Sequence, residues 1–145
     1  MLAPDVNVLI YAHRAGAPDY PRYKAWLAEV VGRAEPFAIT ALVAVGFARV
    51  MTYRAPRPTP EPIEGVLAAI DSLVQLPNCR FITPGPSHWL LVSDLCRKTG
   101  ATGKLVADAA HAAVAIEHGC TFVTSDGDFA AFEPHGLRWQ HLVFD

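Results

Sequence analysis

The feature that most constrains this chain is an alternation along its length. Short apolar runs, VNVLIYA at 6–12, FAIT at 37–40, RFIT at 80–83 and TFVTS at 121–125, are separated by longer stretches whose apolar residues recur at helical spacing. Tyr23, Trp26, Leu27, Val30 and Val31 predict a helix over 19–33. Thr40 is placed to N-cap a second helix, ALVAVGFARVMTY, which is apolar nearly all round and is therefore expected to be buried. Ile63, Val66, Leu67, Ile70, Leu73 and Val74 mark a third, and SHWLLVSDLCRK a fourth that Gly100 can end. An alanine-rich fifth spans 105–118 with Gly119 just past it. A short helical segment and LRWQHLVF close the chain. Strands that alternate with helices predict an α/β layered fold, a central mostly parallel sheet flanked by helices.

Size and composition fit one such unit. A chain of 145 residues buries roughly 68–70% of its unfolded surface, enough for one ordinary core. At 52% apolar and 18% charged it is far from a disordered composition. The only linker-like stretch is RAPRPTPEP at 54–62, whose prolines predict an extended loop inside a single domain, 1–145. No basic n-region precedes the first apolar run, and no run reaches the ~20 residues of a membrane span, so a cytoplasmic protein without a membrane partner is expected. Cys79, Cys96 and Cys120 are odd in number and lack C-x-x-C spacing, which argues against a disulfide framework or zinc knuckle and for buried thiols. The net charge of −2 excludes a global basic field. Two local basic groups stand out, Arg49, Arg54 and Arg57 beside the proline-rich loop, and Arg97, Lys98 and Lys104.

Four aspartates carry the chemistry. Asp126 and Asp128 follow TFVTS, and open parallel sheets bind ligands beyond the carboxyl ends of their strands. Asp5, within APDVNVLIYA, is costly to bury without a partner or metal. Asp108 enters an alanine-lined helix near its N-terminus, where the dipole favours a carboxylate. Carboxylates brought together repel and take up protons unless a cation compensates them, and hard oxygen ligands select Mg2+ or Mn2+. Such an ion makes phosphodiester hydrolysis the natural chemistry. Blander roles stay open: Asp126-Gly127 as a hairpin turn, Asp108 as a helix cap. The glycine and closing glutamate of a calcium loop are missing. An aspartate-based phosphatase needs D-x-D on the first strand, where this chain has Asp5-Val6-Asn7.

Three ordered blocks, APDVNVLIYA, GKLVADAAHAAVAIEHG and TFVTSDGDFAAF, resemble the PIN-domain ribonucleases, in particular VapC-type toxins of toxin–antitoxin pairs, and the likeness spans essentially the whole chain. The resemblance implies a single-domain PIN-like fold and a metal-dependent endoribonuclease. Asp5, Asp108 and Asp126 would be catalytic residues on an Mg2+ or Mn2+ ion, with Asp128 completing or supporting the site, and Asn7, Thr124 and Ser125 would flank the pocket. It further implies an RNA substrate, a homodimer, and a VapB-like antitoxin whose C-terminal segment crosses the acidic groove. The family usually places a glutamate on the helix after the second strand, where ALVAVGFARV offers Gly46 and no acid. That departure leaves a second reading, a catalytically weakened domain that binds RNA or antitoxin. His111, three residues after Asp108, can orient a carboxylate or phosphate or simply pack.

Overall fold

A computed structural model describes residues 1–55 and 57–145. Strand β1 (Leu2–Pro4) leads into helix α1 (Val6–His13) and α2 (Tyr20–Gly32). Then come β2 (Phe37–Thr40), α3 (Ala41–Met51), α4 (Ile63–Val74), β3 (Cys79–Ile82), α5 (His88–Thr99) and α6 (Lys104–Glu117). β4 (Thr121–Thr124), a 3-10 helix (Gly127–His135) and β5 (Arg138–His141) complete the chain. The five strands are parallel throughout, in the order β3-β2-β1-β4-β5. The chain builds outward from β1 to β3 on one side and then crosses back to add β4 and β5 on the other. The order therefore reverses at β1, next to β4, the switch point where such sheets bind ligands.

Local chemistry accounts for most of the boundaries. All four β2 residues are buried, as expected of a strand covered on both faces. Thr40 Oγ1 accepts the Val43 N–H at 3.0 Å and starts α3. Gly100 ends α5 at φ +67° and Gly119 follows α6 at the same φ, conformations that cost glycine no Cβ clash. Phe37, Phe47, Phe122, Phe129 and Phe132 fill the core with Leu9, Ile39 and Leu95, all essentially inaccessible. The Tyr23 hydroxyl donates to the Leu142 carbonyl at 2.8 Å, tying α2 to the last residues.

Three sequence expectations change. VNVLIYA is a helix, and the strand is the shorter segment before it. An apolar run of this length fits a buried strand or a buried helix equally well. The Asp5 carboxylate decides, because it accepts the Val6 N–H at 2.7 Å and satisfies a donor of a first helical turn. Helix α3 buries only the stripe Val43, Phe47 and Met51, while Val45 is 69% exposed. Of the cysteines, all free, only Cys120 is buried. The loop expected over 54–62 has no regular structure at its described positions, and Pro56 lies outside the described residues. No described helix is long and apolar enough to cross a membrane.

Candidate active site

Among the described residues the buried polar side chains are Asp5, Thr40, Asp108 and Thr124. Thr40 is accounted for as a helix cap; the other three meet at the switch point. Pro4 pairs with Val123, which sets Asp5 beside Thr124 at the carboxyl ends of the two central strands. Thr124 Oγ1 donates to Asp5 Oδ2 at 2.7 Å and accepts the Asp126 N–H at 3.0 Å, so one buried hydroxyl positions two of the aspartates. Asp126 Oδ1 accepts the Asp128 N–H at 2.9 Å and starts the 3-10 helix, which replaces the hairpin turn as its local role. Asn7 Oδ1 accepts the Ser125 N–H at 3.4 Å, and His141 Nε2 lies 3.1 Å from the Ser125 carbonyl oxygen.

Asp108, on α6, points into the same groove, a cavity of about 250 Å3 that Asp5, Asn7, His111 and Asp126 also line. Asp108, Asp126 and Asp128 each bring one carboxylate oxygen within 4.8 Å of the others. Asp5 stands outside that trio but opens on the same groove. Thr124 and Ser125, expected to flank the pocket, are not among the residues that line it: Thr124 acts on the Asp5 carboxylate and the Asp126 N–H, and Ser125 takes part through its backbone.

A cation already sits among these acids. Lys104 Nζ donates to Asp108 Oδ2 at 2.9 Å and to Asp126 Oδ2 at 2.5 Å. Sequence reasoning grouped Lys104 with Arg97 and Lys98 on a basic surface. The structure separates them, since Lys98 pairs with Asp94 at 2.9 Å. The available signal was the four-residue spacing from Lys104 to Asp108 on one helix. That order, lysine before acid, is the weaker one, and it puts a cation at a helix N-terminus, against the dipole. Local preference is overridden at a site, where such conflicts concentrate.

The electrostatics follow from burial and this pairing. Burial drives the Asp5 carboxyl above the ordinary aspartate range; the Thr124 hydroxyl, His111 and the Val6 N–H oppose the shift without cancelling it, and Asp108 adds to it. Burial pushes the His111 imidazole below its usual value, with Asp5 and Asp108 opposing. The His111 Nδ1 has no hydrogen-bond partner, and its ring stacks on Phe122 with centroids 5.9 Å apart. Burial raises Asp126 too, but the Lys104 ammonium and the Asp128 N–H outweigh it and hold that carboxyl low. The Lys104 ammonium is held protonated, chiefly by its bond to Asp126.

Gly46, at the position where the resemblance leads to the expectation of an acid, lies against α1. A Cβ built on it would meet Val6 Cγ2 at 2.7 Å, so the glycine lets α3 close on the first turn of α1. Val50, one turn on along α3, lines the acidic groove.

Comparison with known proteins agrees with this fold. The PIN domain family matches residues 2–133. Ribonuclease VapC43 of Mycobacterium tuberculosis is 36% identical over 141 residues, covering 97% of this chain and 95% of the relative. Two solved structures share the fold. VapBC2 from Rickettsia felis, bound to a DNA fragment from their promoter, superposes with a TM-score of 0.66 at 15% identity, covering 96% of each chain. VapC20 of M. tuberculosis, described as a sarcin–ricin loop cleaving toxin, gives 0.66 at 16% identity, covering 90% of this chain and 94% of that one. The chain belongs to the PIN-domain family, in its VapC group.

Proposed function

We propose that this chain is the toxin of a type II toxin–antitoxin pair, a single-domain endoribonuclease over residues 1–145 that hydrolyses RNA phosphodiester bonds with Mg2+ or Mn2+. The observation that carries the reading is the convergence of three carboxylate oxygens within 4.8 Å at the switch point, beside the buried Asp5. The ribonuclease name of VapC43 and the description of VapC20 as a sarcin–ricin loop cleaving toxin support the activity. The VapBC2 assembly supports a VapB-like antitoxin, and the exposed Trp89 and Leu90 of α5 offer an apolar surface for a homodimer. A cytoplasmic location is part of the same reading.

The donor set fits a hard divalent ion, being all carboxylate oxygen and already organised around the positive charge of Lys104. Asp108 and Asp126 would hold the ion together with Asp5, which opens on the same groove, and Asp128, the third member of the close trio, would complete or support them. When bound, such an ion supplies a water of lowered pKa and a positive charge facing a phosphoryl oxygen. The protein's own part is orientation. Thr124 fixes Asp5 and Asp126 together, Asn7 and Ser125 hold the strand end, and Asp128 N–H fixes the Asp126 rotamer. Lys104, which pairs with both Asp108 and Asp126, would have to give up these carboxylates to such an ion. The neutral His111 provides an unpaired nitrogen near Asp108.

A weakened domain that binds without cutting is the second reading, and Gly46 and Lys104 favour it, one by withholding an acid and the other by occupying an oxygen of each of two. Incubating RNA with the protein in Mn2+, Mg2+ or chelator separates them. Metal-dependent cleavage that Asp126→Asn abolishes supports the nuclease; RNA binding without cleavage at any metal concentration overturns it.

A further inference from the structure

Beyond the acidic groove lies a second one, of about 360 Å3, lined by Arg14, Arg49, Tyr53 and Arg57 with Val50 among its apolar walls. The basic group seen in the sequence is thus rearranged. Arg14, just past α1, joins Arg49 and Arg57, and Arg54 does not line this groove. No carboxylate lines it, and none of the three guanidiniums is ion-paired among the described residues. Val50 is a wall of both this groove and the acidic one. A third cavity, of about 610 Å3, shares Arg14 with the basic groove and Ile10 with the acidic one, and includes Glu61. The shared wall residues therefore put the arginine groove next to the acidic one.

The chain as a whole carries a charge of −2, so three unpaired arginines in one hollow are a local arrangement. An acidic centre repels a polyanion, and a strand that enters it needs compensating cations on its path. Guanidinium forks match phosphate oxygens bidentately. Tyr53, 65% exposed, offers a ring on which an unpaired base can stack. We infer that the Arg14–Arg49–Arg57 groove is a phosphate track that holds the single-stranded RNA flanking the scissile bond, with Tyr53 as a base-stacking platform. This rests on the nuclease reading above and names the positioning residues for its substrate. The arginines hold backbone phosphates and the aromatic ring selects unpaired bases, so looped or single-stranded RNA is bound in preference to duplex.

The test uses a labelled single-stranded RNA oligonucleotide, with binding measured on the Asp126→Asn background and cleavage on the wild-type background. Arg14→Gln, Arg49→Gln and Arg57→Gln should each weaken binding several-fold and raise KM with little change in kcat. Each should also lower the slope of log affinity against log salt by about 0.7 for every phosphate it leaves unneutralised. Arg49→Lys should keep that slope. Tyr53→Ala should weaken binding of single strands but not of duplex, with an unchanged slope. Melting temperatures identify any variant that fails to fold, and the three separate arginine substitutions leave the others to decide. RNA affinity, salt slope and KM unchanged in all three, with cleavage intact, would overturn the track and leave the nuclease standing. A lowered slope in a protein that never cleaves would keep the track and remove the nuclease. Loss of binding to an acidic polyglutamate peptide with none to RNA would assign the groove to a protein partner and overturn the proposal.

Discussion

Two carboxylates in this molecule accept two hydrogen bonds each and behave in opposite ways. Glu117, at the end of α6, accepts the Gly85 N–H at 2.7 Å and the Ser87 N–H at 3.0 Å and is held below the usual glutamate range, chiefly by the Gly85 bond. Asp5 accepts the Val6 N–H and the Thr124 hydroxyl, both at 2.7 Å, yet is pushed up. The difference is burial. At the rim, solvent and backbone donors together favour the charge, and Glu117 staples the loop before α5 to α6. At the switch point the same number of bonds does not repay the lost hydration, and a second acid, Asp108, faces the same groove. Two hydrogen bonds do not by themselves make a carboxylate structural; the balance between donors and desolvation decides.

The comparison is broken most directly by removing each charge. Asp5→Asn should cut RNA cleavage by more than the 10–100-fold that loss of a merely supporting group costs, while raising the melting temperature in chelator. Glu117→Gln should do the reverse, lowering the melting temperature and leaving cleavage near wild type. Cleavage rates that fall together in both variants would erase the distinction. Next in size is Thr124→Val, nearly the same shape without the hydroxyl. It strips a donor from Asp5 and an acceptor from the Asp126 N–H, and should lower activity about 10–100-fold and stability by about 1–3 kcal/mol. Kinetics and denaturant melts on one preparation check both.

Gly46→Glu sharpens the question of how much acid the site tolerates. The 2.7 Å approach of a Cβ to Val6 Cγ2 meets a β-branched side chain with little rotamer freedom. The mutant should lose ~1–3 kcal/mol in chelator, less the ~0.5–1 kcal/mol gained by replacing a mid-helix glycine. It should regain more from Mn2+ than wild type does, and Val6→Ala in the same background should relieve the clash. A Mn2+ titration of the melting temperature that matches wild type would place residue 46 outside the site. The smallest effect is in the pH dependence. Folded Asp5 binds its proton more tightly than the unfolded chain, so its contribution is full below the unfolded value of ~3.9 and is lost as pH rises through the folded one. In chelator the advantage of Asp5→Asn should therefore be widest near neutrality and close as pH falls. An advantage that widens on acidification would reverse the assigned shift.

The fold was legible wherever two signals agreed. FAIT followed by Thr40 gave both a buried strand and its helix cap, and Gly100 and Gly119 marked two helix ends. VNVLIYA was misleading because periodicity says little over seven residues, and the deciding contact, Asp5 to the Val6 N–H, also reads from sequence as a buried metal carboxylate. Asp5, Asp108, Asp126 and Asp128 could be named because acids are conspicuous in apolar surroundings. Lys104 was missed because its partner Asp126 is 22 residues away and meets it only when α6 packs beside β4. Arg14 was missed from the basic group for the same reason, since only the folding of α1 against α3 brings it to Arg49.

Lys104 also bears on how such a chain comes into being. An ammonium on the same helix as one acid and packed against the other is present at both carboxylates as soon as the chain folds. The acids can thus be brought together during folding with a cation of the chain's own between them. A nascent chain therefore reaches its final shape with part of the acidic repulsion already offset, and on the nuclease reading a metal ion would have to displace that ammonium.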